Sequence, residues 1–197
     1  MAPRHHEAGR HRPPGARREE RQVSVWRENI ESFIWAVALA LFIRTFIMAP
    51  FKIPSGSMRP TLMEGDRILV NKFIYHFRPP RRGEIIVFRY PEDPKRPFIK
   101  RLAGLGGETL ELRDGKVLID GTPLEDAGVL GTNHYYNQGT FAQPRQAIHV
   151  PEGAFYVLGD NSQSSHDSRW WGFVPKRLVI GQAVCVFWPL NRIRLLR

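Results

Sequence analysis

The sequence predicts an all-β domain over residues 52–197, built of antiparallel sheets in a partly closed barrel and preceded by one N-terminal transmembrane helix. After residue 52, short β-branched and aromatic runs alternate with turn signals, as they do in domains of this class. Asp114 and Gly115 separate two such runs and predict a hairpin with a type I′ turn. No helical periodicity of useful length follows residue 52.

Residues 1–29 are predicted to form a disordered, basic tail. They are rich in Arg, His, Pro and Gly and show almost no apolar periodicity. Residues 1–27 carry seven arginines against three glutamates. Positive charge ahead of an apolar segment favours a cytoplasmic location for the tail, so the β domain is expected on the outer face of the membrane.

Residues 30–51 are predicted to form the transmembrane helix. The range 32–43 contains no charged residue, and the whole segment has about the length that a membrane helix needs. Arg44 costs about 2.5–3.5 kcal/mol at the centre of such a helix, and less near an interface. A cleavable signal peptide is disfavoured because the preceding polar region is long and because Ile47 and Ala49 suit a cleavage site poorly. An interfacial amphipathic helix is the remaining alternative.

The strands of the β domain are predicted from β-branched and aromatic runs. They are expected at 67–70, 84–89, 110–113, 116–119, 154–158 and 178–188. Residues 122–150 hold many turn formers and polar residues and predict a long loop or a small flap.

The net charge of +10 and pI near 10.3 suggest an anionic partner. Outside the tail the basic residues are scattered, with no Lys/Arg-rich helix, so membrane lipids are favoured over nucleic acid. Cys185 is the only cysteine, which excludes an internal disulfide and a cysteine metal cluster. It lies in an apolar run, where a buried, inert thiol is expected. No cofactor or metal is predicted.

Ser57 is the candidate nucleophile. It stands between Gly56 and Met58, and Pro54 and Pro60 restrict the backbone on both sides. A reacting oxygen must be held close to its attack geometry, and such a rigid turn can hold it.

Lys100 is the candidate base. Phe98, Ile99 and Leu102 surround it in sequence and can bury the amine, which lowers its pKa. Arg101 adds a like charge, but as the next residue of a strand it should point to the opposite face. A serine and a desolvated lysine can cleave an acyl bond without histidine. A solvated surface lysine is the alternative interpretation.

Together with the segment 159–172, these motifs resemble those of the bacterial type I signal peptidases. The resemblance extends from the apolar segment to Trp188. Two departures occur. Gly106 stands where the family commonly has proline, and Ser-Gln-Ser at 162–164 stands where it often has Arg-Asp-Asn.

The resemblance implies roles for individual residues. Ser57 would be the nucleophile and Lys100 the general base. The backbone N–H of Ser57 and the hydroxyl of Ser55 would form the oxyanion hole. Ser165 would hydrogen-bond the lysine amine and orient it.

The same segment holds residues with supporting or structural roles. By resemblance, Asp167 and Arg169 would form an ion pair that braces the site, and the alternative is a surface pair of little energetic value. His166 occupies a position that varies in the family and is predicted to be exposed. Asp160 is predicted to be a structural turn residue.

The resemblance further implies a membrane-anchored serine endopeptidase of the bacterial cytoplasmic membrane. It would remove signal peptides from secretory preproteins after small residues at −3 and −1, admitted by shallow apolar pockets. Residues 51–53 would pair with the substrate as an added strand.

Two rival hypotheses remain. A self-cleaving Ser–Lys repressor shares part of the chemistry, but it needs a DNA-binding helical domain where this chain has an apolar segment. A non-catalytic, membrane-anchored β binding module would tolerate replacement of Ser57 and Lys100.

Overall fold

The structure is a computed structural model that describes residues 16–42, 48–125 and 128–196. The chain divides into two compact units, Met1–Ile43 and Arg44–Arg197.

The first unit contains one helix, α1 (Ala16–Phe42). Of the predicted disordered tail, residues 1–15 lie outside the described part of the chain, whereas 16–29 are helical. Every proline and glycine of the tail precedes residue 16, and the residues that follow are mostly good helix formers, which explains the early start. Within the described residues, no helix combines the length and the apolar character needed to cross a membrane.

The predicted transmembrane segment ends differently from the prediction. Its residues 43–47 lie outside the described part of the chain, and Met48–Lys52 forms a β-strand, so the helix predicted to residue 51 was wrong at its end. Pro50 explains the difference. Proline disrupts a helix interior but is tolerated in an edge strand, where its missing N–H faces no partner.

Within its described residues the β domain contains twelve strands, with short helices between some of them. The strands are β1 (Met48–Lys52), β2 (Arg67–Asn71), β3 (Ile85–Arg89), β4 (Pro97–Gly104), β5 (Thr109–Arg113), β6 (Lys116–Ile119), β7 (Thr122–Pro123), β8 (Ala147–His149), β9 (Ala154–Leu158), β10 (Val174–Pro175), β11 (Val179–Trp188) and β12 (Arg194–Leu195). The short α-helices are α2 (Ile74–Phe77), α3 (Val129–Thr132) and α4 (Ser168–Trp171). Single 3₁₀ turns lie at Gly56–Met58, Ser162–Ser164, Lys176–Leu178 and Leu190–Arg192.

The large sheet has eight strands in the order β1-β2-β11-β3-β4-β9-β10, and β12 pairs with β11. Every strand pair is antiparallel. The all-β prediction for this domain is therefore confirmed. Apolar side chains pack on the sheet in separate clusters, one of which includes Ile53, Met58 and Leu62 around the segment that carries Ser57.

A second sheet of four strands has the order β7-β6-β5-β8. Its central hairpin turns at Asp114 and Gly115, both with positive φ of 52° and 78°, as a type I′ turn requires. Residues 122–150, predicted as a loop or flap, supply β7, α3 and β8. Leu130 and Tyr135 from this stretch are buried in the core beneath the sheet, so the segment is an integral part of the domain.

Candidate active site

Ser57 lies in the 3₁₀ turn Gly56–Met58, which follows β1 after a short connection. The side chain of Met58 is completely buried and fixes the turn to the core. The carbonyl oxygens of Gly56 and Ser57 accept hydrogen bonds from the side chain and the backbone N–H of Asn161, at 3.0 and 3.1 Å. The turn is thus held from both sides, which fixes the Ser57 hydroxyl in place.

Lys100 reaches this hydroxyl from β4. Its Nζ lies 2.7 Å from Ser57 Oγ and donates a second hydrogen bond to the Ile99 carbonyl at 3.0 Å. The side chain is only 4% exposed. The structure therefore brings together the two residues that the sequence proposes as nucleophile and base.

The environment of Lys100 favours a neutral amine. Burial lowers the pKa of Lys100 to about 8. The carboxylates of Asp167 and Asp160 oppose this shift, and the guanidinium of Arg169 adds to it. Among the described residues no carboxylate hydrogen-bonds the amine, so burial dominates.

Ser55 borders the same cavity, which measures about 440 Å³ and is also lined by Ser57 and Lys100. Ser55 precedes the 3₁₀ turn in the capping position, but its hydroxyl makes no capping hydrogen bond. The hydroxyl is therefore not committed to the backbone of the turn.

The predicted hydrogen bond between Ser165 and Lys100 is not formed. Ser165 Oγ is buried and has no hydrogen-bond partner within the described residues. It packs against Gly159, where a Cβ atom would lie 2.0 Å from Ser165 Oγ and 2.5 Å from the Ser57 carbonyl oxygen. Gly159 thus permits the close approach of the two serine segments, which any larger residue would force apart.

Asp167 and Arg169 form an ion pair at 2.8 Å, with both side chains fully buried. Asp167 caps α4 by accepting from the N–H of Arg169, and its other oxygen accepts from the N–H of Gly159 at 2.9 Å. Arg169 also donates to the Tyr136 carbonyl and to Ser162 Oγ, each at 2.9 Å. The N–H groups of the Arg169 side chain are hydrogen-bonded and both side chains are buried, so this pair is an internal brace and not a surface pair.

Arg101 and Asp160 form a second buried ion pair, which the sequence analysis missed. Arg101 Nη2 and Nε lie 2.6 and 2.8 Å from the two carboxylate oxygens of Asp160. Thr61 and Asn133 donate to the side chain and the carbonyl of Asp160, respectively. Asp160 is therefore structural, as predicted, but through an ion pair and not as a simple turn residue. The alternation along β4 was the available signal, because it turns Arg101 into the interior opposite Lys100.

His166 is exposed, as predicted, but it lines the same cavity as Ser57. Its Nε2 lies 3.2 Å from the hydroxyl of Tyr90, and it makes no hydrogen bond with Ser57 or Lys100 in the described structure. Within residues 16–42, 48–125 and 128–196, no group of three or more His, Cys, Asp or Glu is arranged to hold a metal ion.

The sequence matches a known family. The family model for signal peptidase, peptidase S26, matches residues 26–188. Signal peptidase I of Leptolyngbya laminosa is 46% identical over 173 residues, which cover 84% of this chain and 81% of that protein. Signal peptidase I of Pseudomonas aeruginosa is 33% identical over 204 residues, covering 81% of this chain and 72% of that protein.

A crystal structure of a signal peptidase I from Enterococcus faecalis V583 is 37% identical in sequence. It covers 52% of this chain and 95% of its own, with a TM-score of 0.44. The family match spans most of the chain. The chain therefore belongs to the signal peptidase family, peptidase S26, a family of serine endopeptidases.

Proposed function

We propose that this protein removes signal peptides from secretory preproteins at the bacterial cytoplasmic membrane, with Ser57 and Lys100 as its catalytic dyad. The observation that carries the proposal is the 2.7 Å contact between Ser57 Oγ and a buried Lys100 Nζ. A lysine with a pKa near 8 is partly neutral at ordinary pH and can accept a proton.

In this mechanism neutral Lys100 takes the proton of Ser57 while Oγ attacks the carbonyl carbon of the scissile peptide bond. The C–N bond then breaks, and the Lys100 ammonium returns its proton to the leaving amine. Water next attacks the Ser57 ester, with Lys100 again as base, and releases the signal peptide. No third side chain need relay the proton, because the two reacting atoms are already in hydrogen-bond contact.

The oxyanion of the tetrahedral intermediate would be stabilised by the N–H of Ser57 and the hydroxyl of Ser55. The hydroxyl of Ser55 borders the cavity and makes no capping bond, which supports this role. Ser55→Ala should lower kcat by about 10²–10³ with little change in KM, as loss of one such donor does elsewhere. Weaker binding at unchanged kcat would place Ser55 in a substrate pocket instead.

Selectivity for small residues at −3 and −1 is supported by a second, apolar cavity of about 80 Å³. It borders the active-site cavity, because Pro54, Pro97, Phe98 and Ile99 line both. A space of this size favours a small side chain and excludes an aromatic one. Preproteins with Ala, Val or Phe at −3 test this, and equal kcat/KM for the three would contradict it.

The strand edges next to the cavity support binding of the substrate in extended form. β1 pairs only with β2 in the described structure. In β4, residues 97–99 pair with β3, whereas pairing with β9 begins at Arg101. Ile53 already bonds Asp66 and Gly65 through its backbone N–H and carbonyl, so the edges left for a peptide strand are those of residues 51–52 and 97–99.

Attachment to the membrane is supported by the apolar side chains of α1. Large ones are exposed along the helix, at Trp26, Ile30, Phe33, Ile34, Trp35, Val37, Leu39 and Leu41. The arginines before this stretch favour a cytoplasmic N-terminus and a β domain on the outer face. Protease added to the outside of intact spheroplasts should digest the β domain and spare the N-terminal segment. Digestion of the N-terminal segment alone would indicate the reverse orientation.

The decisive test of catalysis is Ser57→Ala in the full-length protein. The variant should remain folded, since Ser57 contributes one hydrogen bond, and should lose cleavage of a preprotein that ends in Ala-x-Ala. A variant that cleaves at a substantial fraction of the parental rate would favour the non-catalytic binding module. Gel analysis of the mature product, with circular dichroism as the folding control, distinguishes the two.

A further inference from the structure

A separate cavity of about 480 Å³ lies between α2 and the start of β11. It shares no lining residue with the active-site cavity. Basic side chains dominate its polar lining: Lys72, His76, Lys176 and Arg177. We call it the basic cavity.

The backbone of the large sheet builds the basic cavity. Lys72 directly follows β2, and Gly181 of β11 packs against it. A Cβ atom at Gly181 would lie 2.3 Å from the Asn71 carbonyl oxygen and 2.9 Å from Lys72 Cα. The 3₁₀ turn Lys176–Leu178 leads into β11 on the other side of the cavity. Glycine at 181 therefore allows the two basic segments to face one another.

The charges of Lys176 and Arg177 are not offset by a carboxylate in the described part of the chain. Among the described residues no carboxylate lines the cavity, and neither Lys176 nor Arg177 forms an ion pair. Glu84, the carboxylate that accepts from the Tyr75 hydroxyl at 3.0 Å, is paired with Arg78 at 2.7 Å. Burial and Glu84 raise the pKa of Tyr75, so its hydroxyl stays neutral. The cavity therefore suits an anion.

Exposed aromatic residues flank the basic cavity. Phe73 and Phe77 are 42% and 73% exposed, and their rings pack together at 4.8 Å. Aromatic side chains beside basic ones are typical of surfaces that lie in the headgroup region of a bilayer. The position agrees, because Met48, the first residue of β1, pairs with Asn71 next to Lys72. The first strand of the β domain therefore begins beside the basic cavity.

We propose that the basic cavity binds the phosphate of an anionic phospholipid headgroup while Phe73 and Phe77 insert beside it. Lys176 and Arg177 would donate charge-assisted hydrogen bonds to the phosphate oxygens, with Lys72 at the opposite wall. The proposal rests on the proposed membrane attachment. It adds a second contact, made by the β domain itself, that orients the catalytic face relative to the bilayer.

The test uses hydrogen exchange of the full-length protein on vesicles of phosphatidylcholine with increasing phosphatidylglycerol. Phosphatidylglycerol should slow exchange of the backbone amides in 72–80 and 176–181. In the double variant Lys176→Glu/Arg177→Glu, the phosphatidylglycerol content for half-maximal protection should rise at least about fivefold, since one basic residue near an anionic surface contributes roughly that factor. The control Lys116→Glu/Arg145→Glu makes the same charge change on β6 and in the turn before β8, and it should behave like the parent.

Three outcomes would overturn the proposal. An equal shift in the control would reduce the effect to general charge attraction. Full protection by inorganic phosphate on pure phosphatidylcholine would identify free phosphate as the ligand. Protection that appears only when a preprotein is added would identify an acidic polypeptide instead. Flotation with pure phosphatidylcholine vesicles reports membrane attachment separately, so failure of attachment and failure of headgroup binding are distinguishable.

Discussion

Lys100 and Arg101 are neighbours on β4, and both are buried, yet their charges meet opposite environments. Arg101 is 2% exposed and forms a two-point ion pair with Asp160. Lys100 is 4% exposed, and among the described residues its amine hydrogen-bonds only the Ser57 hydroxyl and the Ile99 carbonyl. The alternation of a β-strand sends the two side chains to opposite faces, so one step along the chain separates the two environments.

The difference shows how one strand can carry both a paired cation and an amine with a lowered pKa. A buried cation with a carboxylate partner keeps its charge, because the pair offsets part of the cost of desolvation. A buried amine without such a partner loses affinity for its proton. Asp160 and Asp167 act on Lys100 through space only, which leaves its pKa at about 8. The presence or absence of a carboxylate partner, and not burial itself, therefore separates the proposed base Lys100 from the structural cation Arg101.

The largest difference in cleavage activity is expected between Lys100→Arg and Arg101→Lys, which exchange the two kinds of cation. Lys100→Arg keeps the positive charge, but a guanidinium stays protonated and has no lone pair for the Ser57 proton. We expect cleavage of an Ala-x-Ala preprotein to fall to background, a loss of at least about 10²–10⁴. Arg101→Lys on the other face should retain most of the activity per folded molecule. Substantial cleavage by folded Lys100→Arg would exclude Lys100 as the base.

The second prediction concerns stability on the Arg101 face. Asp160→Asn leaves the Arg101 guanidinium buried without its carboxylate and should lower the free energy of unfolding by about 3–5 kcal/mol. Glu125→Gln, in the exposed Lys116–Glu125 pair, serves as the control and should be nearly neutral. Urea unfolding followed by circular dichroism measures both. Equal stability of the two variants would mean that the Arg101–Asp160 pair contributes little to the fold.

Local patterns predicted much of this architecture. The Asp114-Gly115 turn forms with the expected backbone angles, and the predicted strand 154–158 is β9. Ser57 and Lys100, 43 positions apart, meet at 2.7 Å. Their motifs were recognisable because the reacting residues sit in short segments whose neighbours are constrained by the same chemistry.

Contacts between distant segments could not be predicted in the same way. Arg101 and Asp160 are 59 positions apart, and the hydrogen bond from Arg169 to the Tyr136 carbonyl spans 33. Such pairs depend on how sheets pack, which no local periodicity records. The polar stretch around Asn133 therefore predicted a loop. In the structure the Asn133 side chain donates to the Asp160 carbonyl, and the Tyr136 carbonyl accepts from Arg169.

The third prediction uses the pH dependence of Lys100. Because the base must be neutral, kcat/KM should rise about tenfold per pH unit below pH 8 and level off above it. The folded pKa of about 8 lies below the ordinary 10.5, so the unfolded chain binds more protons between these values. The free energy of unfolding should therefore rise with pH across this window, and Lys100→Met should remove that contribution. A rate that is flat from pH 6 to 10 would contradict the assignment.

The smallest expected effect couples the two faces of β4. The Asp160 carboxylate raises the pKa of Lys100, although burial outweighs it. In Asp160→Asn, measured at a temperature where the variant is folded, the acid limb of the pH–rate profile should move to lower pH. The shift should be less than about one unit, because charges separated by protein interact only modestly at an effective dielectric constant near 20. Arg101→Met is the complementary variant, because it removes the cationic partner of Asp160 and leaves the Asp160 carboxylate in place. An acid limb that moves to higher pH in Asp160→Asn would show that the carboxylate does not act on Lys100 through its charge.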